Sequence, residues 1–577
     1  HPGRLQAMMQ WDIFAYANVP YRIKSYPDLV ATPRDTIEYD VPRAEAIEER
    51  VARLGGDGRF VPNAHGDIHF VNLAEKLIVP LLAKFANFVA EGGVWMNTQR
   101  PEWNDANNAL VGAGLSMVTM YALRSHLEFC RDLYAECEGT PALSEEVADL
   151  LDGMSGILEH HADTFDAPCT AEKRKALLEA LGTCHDEFRS SFYEKGLSGN
   201  RRGVDAQRLV SFCERALRAV DASIRANRRA DGLVHSYNLL EWTQDGTGIQ
   251  VRPLQEMLEG QMAALNSGAY TVEECADLLD ALRDSDLYRP DQQSFLLYPE
   301  RTPPGFLEKN SFAAENAADI GLVQTLLRAG DRSLVVPGQR GDLHFACDLR
   351  NAEALDARLE ELARAKHPEA LGPDADRIRE LYETVFRHRS FTGRSGSMYK
   401  YEGFGCIYWH MVSKLALAVL DITHQAVDER AADDTVARLK QHYHFLVEGI
   451  GVHKNPAEYG AFPTDPYSHT PGFAGVQQPG MTGQVKEDII RRLGELGVEL
   501  ADGTLAIRPR LLREDEFLSE ARQWTVHDVF GEQHSLDMRA GSLGFTLCQV
   551  PILLHRAEET AISITYADGH TRRVEGA

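Results

Sequence analysis

Apolar residues recur every three or four positions along most of the chain, the period of a helix with one buried stripe. The pattern predicts helices over 44–54, 69–88 with a bend at Pro80, and Asn108 to about Glu136. Three or four amphipathic helices follow between 143 and 228. Further helices are expected at 253–266, 271–283, near 312–329, 351–366 and 374–388, up to Ala426, at 429–449 and at 485–496. After Asp502-Gly503 the period changes to two. Residues 504–508, 546–555 and 561–567 read as strands, with Asp568-Gly569 as a hairpin turn. Helix after helix without a sequence repeat fits an (α/α) toroid, in which each pair buries its stripe against the next. The division expected is a helical domain over 1–500 and a small β domain over 501–577.

Polar and aromatic stretches interrupt this pattern, and the densest is Glu102-Trp-Asn-Asp-Ala-Asn-Asn108. Pro101 disfavours helix at Arg100, and the apolar helical pattern resumes after Asn108. Asp105 is therefore expected at a helix mouth, where an acid is ordinarily an N-cap. Its neighbours offer more: Trp103 has a flat apolar face suited to sugars, and the amides bond in both directions. An Asp beside such a surface is a candidate proton donor. The stretch 229–242, with His235, Tyr237, Asn238 and Trp242, reads as a surface loop or the lining of a sugar cleft. The connection 294–305 is a candidate lining of the same cleft. His160 and His161 are adjacent on a helix and point in different directions, so they read as solvated or core residues rather than metal ligands.

Composition narrows the class. The chain has 577 residues, 44% hydrophobic and 25% charged, as in globular proteins. A net charge of -26 argues against nucleic acid and anionic membrane as partners. A neutral glycan is compatible with it, and a phosphate substrate would need a locally positive site. Nine cysteines without a Cys-x-x-Cys pair fit reduced thiols in a cytoplasm. No run of about 18 apolar residues predicts a membrane helix, and no signal peptide is visible. A chain opening on His-Pro-Gly rather than Met reads as processed or truncated.

Three short segments resemble the inverting disaccharide phosphorylases of the cellobiose and chitobiose type. Trp103-Asn-Asp105, followed by Asn108 and Gly112, is similar to that family's catalytic-acid motif; Glu102 stands where the family has an Asp. Tyr401-Glu-Gly-Phe-Gly-Cys-Ile-Tyr-Trp-His410, before a helix, resembles the segment whose His contacts phosphate, with one residue inserted. Gly480-Met-Thr-Gly483 precedes a helix and then Gly503-Thr-Leu-Ala-Ile-Arg-Pro509, in the family's order. The resemblance implies a mainly α fold: an (α/α)6 toroid with a helical insertion, much of 131–390, and a small C-terminal β domain. The span from Asp105 to Glu402 is far longer than in the disaccharide enzymes. The segment before Asp105 is too short for the family's N-terminal β-sandwich, and an arginine and an aspartate expected there have no counterpart. These departures point to a larger relative, such as the β-1,3-glucan phosphorylases.

By this resemblance Asp105 is the general acid, and Trp103, Asn104, Arg100 and Glu402 bind sugar. His410, Thr482 and Gly483 hold phosphate, which is a co-substrate; no cofactor and no metal are implied. The expected reaction is phosphorolysis of a β-linked gluco-oligosaccharide or disaccharide to an α-sugar 1-phosphate. The alternative is an inverting hydrolase with Glu402 or Glu487 as base, its carboxyls about 6.5–9.5 Å apart. A third reading is a non-catalytic glycan-binding protein. The expected partners are an oligosaccharide and phosphate, with neither nucleic acid nor membrane; a homodimer is left open.

Overall fold

The computed structural model describes residues 2–98, 110–166, 168–290, 293–297, 299, 306–365, 367, 370, 372–386, 407, 409–450, 485–501, 503–558, 560–566 and 568–575. The chain divides into two compact units, His1–Arg491 and Arg492–Ala577. Within the first, the helix Leu73–Phe85 starts where the Asn72 side chain accepts from the Glu75 amide. It carries Pro80 inside it. The helices Met117–Ala135 and Ala206–Ala226 pack against each other. Leu209, Phe212, Cys213, Ala216, Val220 and Ile224 form the buried stripe of the second helix. Phe85 stacks on Phe88 at 4.9 Å and meets Phe212 edge-on at 6.2 Å, closing the core between these helices.

The mainly α toroid is not the architecture found. Half of the described residues are helix and a fifth are strand. The main departure is a five-stranded antiparallel sheet built from Phe88–Val89, Gly93–Trp95, Gly114–Ser116, Tyr237–Trp242 and Ile249–Pro253, neighbours in that order. Trp95 pairs with Leu115, Tyr237 with Ser116, and Leu240 with Val251. Val89, Trp95, Leu115, Leu240 and Ile249 share a core with Tyr26, Leu29 and Leu178. The first three strands are two or three residues long and fully buried, so they lack the polar–apolar alternation that marks a half-exposed strand. For that reason Leu110, Val111 and Leu115 read as the start of a helix. Leu110 is helical, but a turn and the strand Gly114–Ser116 follow, and the long helix begins at Met117, capped by Ser116 accepting from Thr119 N.

The stretch 229–242 is likewise not a loop throughout. Tyr237–Trp242 is an inner strand of the sheet. Asn238 is fully buried and donates through Nδ2 to Gly92 O at 2.7 Å and to Asn227 Oδ1 at 2.8 Å. Gly93 sits at φ 130°, and a Cβ there would meet the Ser116 carbonyl carbon at 2.9 Å, so glycine permits the strand pairing.

Residues 306–386 form a lobe with its own core within the first unit. Helices Gly321–Ala329, Ala352–Arg364 and Pro373–Phe386 cover a three-stranded antiparallel sheet of Phe312–Ala313, Asp342–Phe345 and Val335–Pro337. Leu322, Leu326, Phe345, Leu355, Ile378 and Phe386 lie in one buried cluster. The helical reading of this stretch missed the sheet, whose strands are two to four residues long.

The second unit carries four hairpins: Val498–Ala501 with Thr504–Ile507, Arg522–His527 with Gln533–Met538, Ser542–Leu547 with Val550–His555, and Ala561–Thr565 with Thr571–Glu575. The expected single strand over 546–555 turns back at Cys548-Gln549. Both residues have positive φ, as a two-residue hairpin turn requires.

Candidate active site

The segment carrying Arg100, Trp103, Asn104 and Asp105 joins two paired strands of the five-stranded sheet. Its described ends are tied together. Met96 N donates to Gly114 O at 2.9 Å, Gly112 N to Met96 O at 2.7 Å, and Trp95 Nε1 to Gly112 O at 3.0 Å. Asn97 is buried and donates to Asn87 Oδ1 at 2.7 Å. The catalytic-acid candidate thus belongs to a strand-to-strand connection held at its base by backbone bonds. Arg100, Trp103, Asn104 and Asp105 themselves lie outside the described residues, as do Glu402, Thr482 and Gly483.

His410 is described, in the first turn of the helix Trp409–Asp428. Just before it, Ile407 forms an isolated antiparallel bridge to Leu296. The helix Val485–Glu495 begins two residues after Gly483 and brings Glu487 to His410. Nε2 of the histidine lies 3.1 Å from Glu487 Oε1. The Glu487 side chain is 5% exposed and that of His410 23%. Glu487 Oε2 is buried with no hydrogen-bond partner among the described residues. Burial, and then Lys414, push the His410 pKa below its ordinary value, against the opposing hydrogen bond and charge of Glu487; Lys486 adds a further lowering push. Among the described residues, two lysines and one carboxylate act on the ring. Lys414 went unnoticed in the sequence although it follows His410 by one helical turn, the spacing that places two side chains on one face.

Other charged clusters are occupied by structural work. Glu75 is fully buried and accepts from Ser144 N at 2.7 Å, Ser144 Oγ at 2.7 Å and Arg201 Nη1 at 2.9 Å. Arg174 donates to Ala90 O, Ile249 O and Glu91 Oε2. In the second unit Asp528, Glu532 and His534 could surround a cation. Asp528 Oδ1 already accepts from the amides of Phe530 and Glu532 at 2.9 Å each, which is turn chemistry. Among the described residues no helix is long and apolar enough to cross a membrane.

The lobe with its own core also has a counterpart among known families. Residues 303–389 match the family model of GH149 phosphorylase insertion domain 2. The match supports an enzyme that acts on glycosides. More narrowly, it supports a glycoside phosphorylase of the GH149 type. The buried cluster from Phe312 to Phe386 lies within the matched residues. Comparison with curated proteins gives no match.

Proposed function

We propose that the protein is an inverting phosphorylase of β-linked gluco-oligosaccharides or disaccharides. Asp105 gives its carboxyl proton to the glycosidic oxygen as the C1–O bond breaks. Phosphate, held by His410, Thr482 and Gly483, forms the new bond to C1 from the opposite face. An α-sugar 1-phosphate and a shortened saccharide leave. Trp103 supplies a stacking face, and Asn104, Arg100 and Glu402 bind sugar hydroxyls. No general base is required, because phosphate is already an anionic nucleophile.

The observation that carries this reading is the approach of two helix starts. The helix that follows Thr482-Gly483 meets the helix that opens on His410, through Glu487. Helix N-termini favour anions, and Lys414 and Lys486 add positive charge beside the histidine. The GH149 phosphorylase insertion domain supports the same class of activity.

The test is incubation with β-1,3- and β-1,4-linked gluco-oligosaccharides, with and without inorganic phosphate. Phosphate-dependent release of an α-sugar 1-phosphate is expected. Equal turnover in phosphate-free buffer would instead indicate hydrolysis, with Glu402 or Glu487 as base. Binding without product would indicate a glycan-binding protein. Asp105→Asn is expected to cost about 10²-fold or more in kcat; a fully active variant removes Asp105 from the mechanism.

A further inference from the structure

Among the described residues beside His410, Glu487 is one that the proposed reaction leaves without a task. It is buried in the first turn of its helix, and one oxygen points at the imidazole while the other has no partner among the described residues. A buried carboxylate in that condition is destabilising unless a cation and a proton donor compensate it. Lys486 Nζ lies 3.6 Å from the same oxygen, but its side chain is 68% exposed and its attraction is screened by water. The imidazole is the better-buried partner.

We propose that Glu487 is a positioning residue for the phosphate site: its carboxylate accepts a hydrogen bond from His410 Nε2, fixes the plane of the ring and favours the protonated form that meets phosphate. This rests on the reading of His410 as a phosphate ligand. The hydrogen bond at one ring nitrogen sets the protonation of the other. A carboxylate on Nε2 favours the imidazolium, in which both nitrogens are donors. The need for such a partner is visible in the surroundings. The charged groups facing the ring from the described elements are Lys414 on its own helix and Lys486 and Glu487 on the packed helix. Burial and both lysines favour the neutral ring, which donates from only one nitrogen. Among the described residues Glu487 opposes them.

Two measurements separate this inference from the reading beneath it. The first is the titration of His410 in the full chain, followed by NMR of labelled histidine and assigned with His410→Asn. Glu487→Gln is expected to lower the His410 midpoint by about one pH unit. This readout needs no substrate, so it tests the pair even if the protein proves not to be a phosphorylase. An unchanged midpoint overturns the proposal. The second is steady-state phosphorolysis against inorganic phosphate. Glu487→Gln is expected to raise KM for phosphate about tenfold or more. The loss in kcat should be smaller, and the alkaline limb of kcat/KM for phosphate should move to lower pH. Glu487→Asp retains the charge and is expected to recover part of both effects. A lower KM for phosphate in Glu487→Gln would mean that the carboxylate acts on the anion directly, by repulsion, and would also overturn the proposal. A wild-type protein with no phosphate dependence would sink the phosphorylase reading while leaving the titration result standing.

Discussion

His185 shows how far one side chain can be moved by its surroundings. It lies along Phe188, with ring centroids 6.1 Å apart. Burial, helped by Arg189, pushes its pKa from 6.5 down to about 3. The unfolded chain therefore binds a proton below about 6.5 that the folded chain refuses until about 3. Stability must rise with pH across that window and be complete above it. His185→Gln is expected to flatten this dependence, so the denaturant midpoint should fall less between pH 7 and pH 4.5 than in the wild type. Identical slopes would show that His185 is free to protonate in the fold. The same scale explains what was legible at the site. Trp103, Asn104, Asp105, His410, Thr482 and Gly483 stand out because chemically capable residues cluster over a few positions. Glu75 does not, because its partners Ser144 and Arg201 are distant in sequence and only the fold assembles them. Glu487 could be named as an acid near the Thr-Gly turn, but its engagement with His410 could not.

Helices were the readable elements, because a stripe of apolar residues over several turns and a capping residue are local signals. Thr271 illustrates the second. Its side chain accepts from Glu274 N at 3.2 Å, and Glu274 Oε2 accepts from Thr271 N at 3.0 Å, a reciprocal box at the start of Val272–Asp284. Thr271→Ala is expected to cost about 1 kcal/mol, measured as a lower urea midpoint at unchanged slope. A neutral result would mean that packing alone fixes that helix start. The strands of the central sheet were missed for the opposite reason. Two or three residues give no period, and Tyr237–Trp242 carries an asparagine whose burial depends on Gly92 and Asn227. Replacing Asn238 with Ala removes both of those bonds and is expected to destabilise by about 1–3 kcal/mol.

For the whole molecule, the informative unit is the lobe that interrupts the chain before the Tyr401–His410 segment. Its buried cluster runs from Phe312 to Phe386. The residues that match GH149 phosphorylase insertion domain 2 bracket that cluster. A segment with its own core should fold when excised. Residues 303–389 expressed alone are expected to give a cooperative thermal transition with native-like helix content by circular dichroism. A fragment without one would show that the lobe depends on the rest of its unit. The unusual separation of Asp105 from Glu402 was evident from the sequence, and so was the presence of inserted elements within it. The sequence by itself determined the helices, the change to hairpins near the C-terminus, the net charge, and three short motifs, since each is written in the residues themselves. Only the tertiary structure decided that a five-stranded sheet lies among those helices, that the inserted stretch is a mixed α/β lobe, and that Glu487 faces His410. Each of these depends on residues far apart in the chain being brought within hydrogen-bonding or packing distance, which no local pattern encodes.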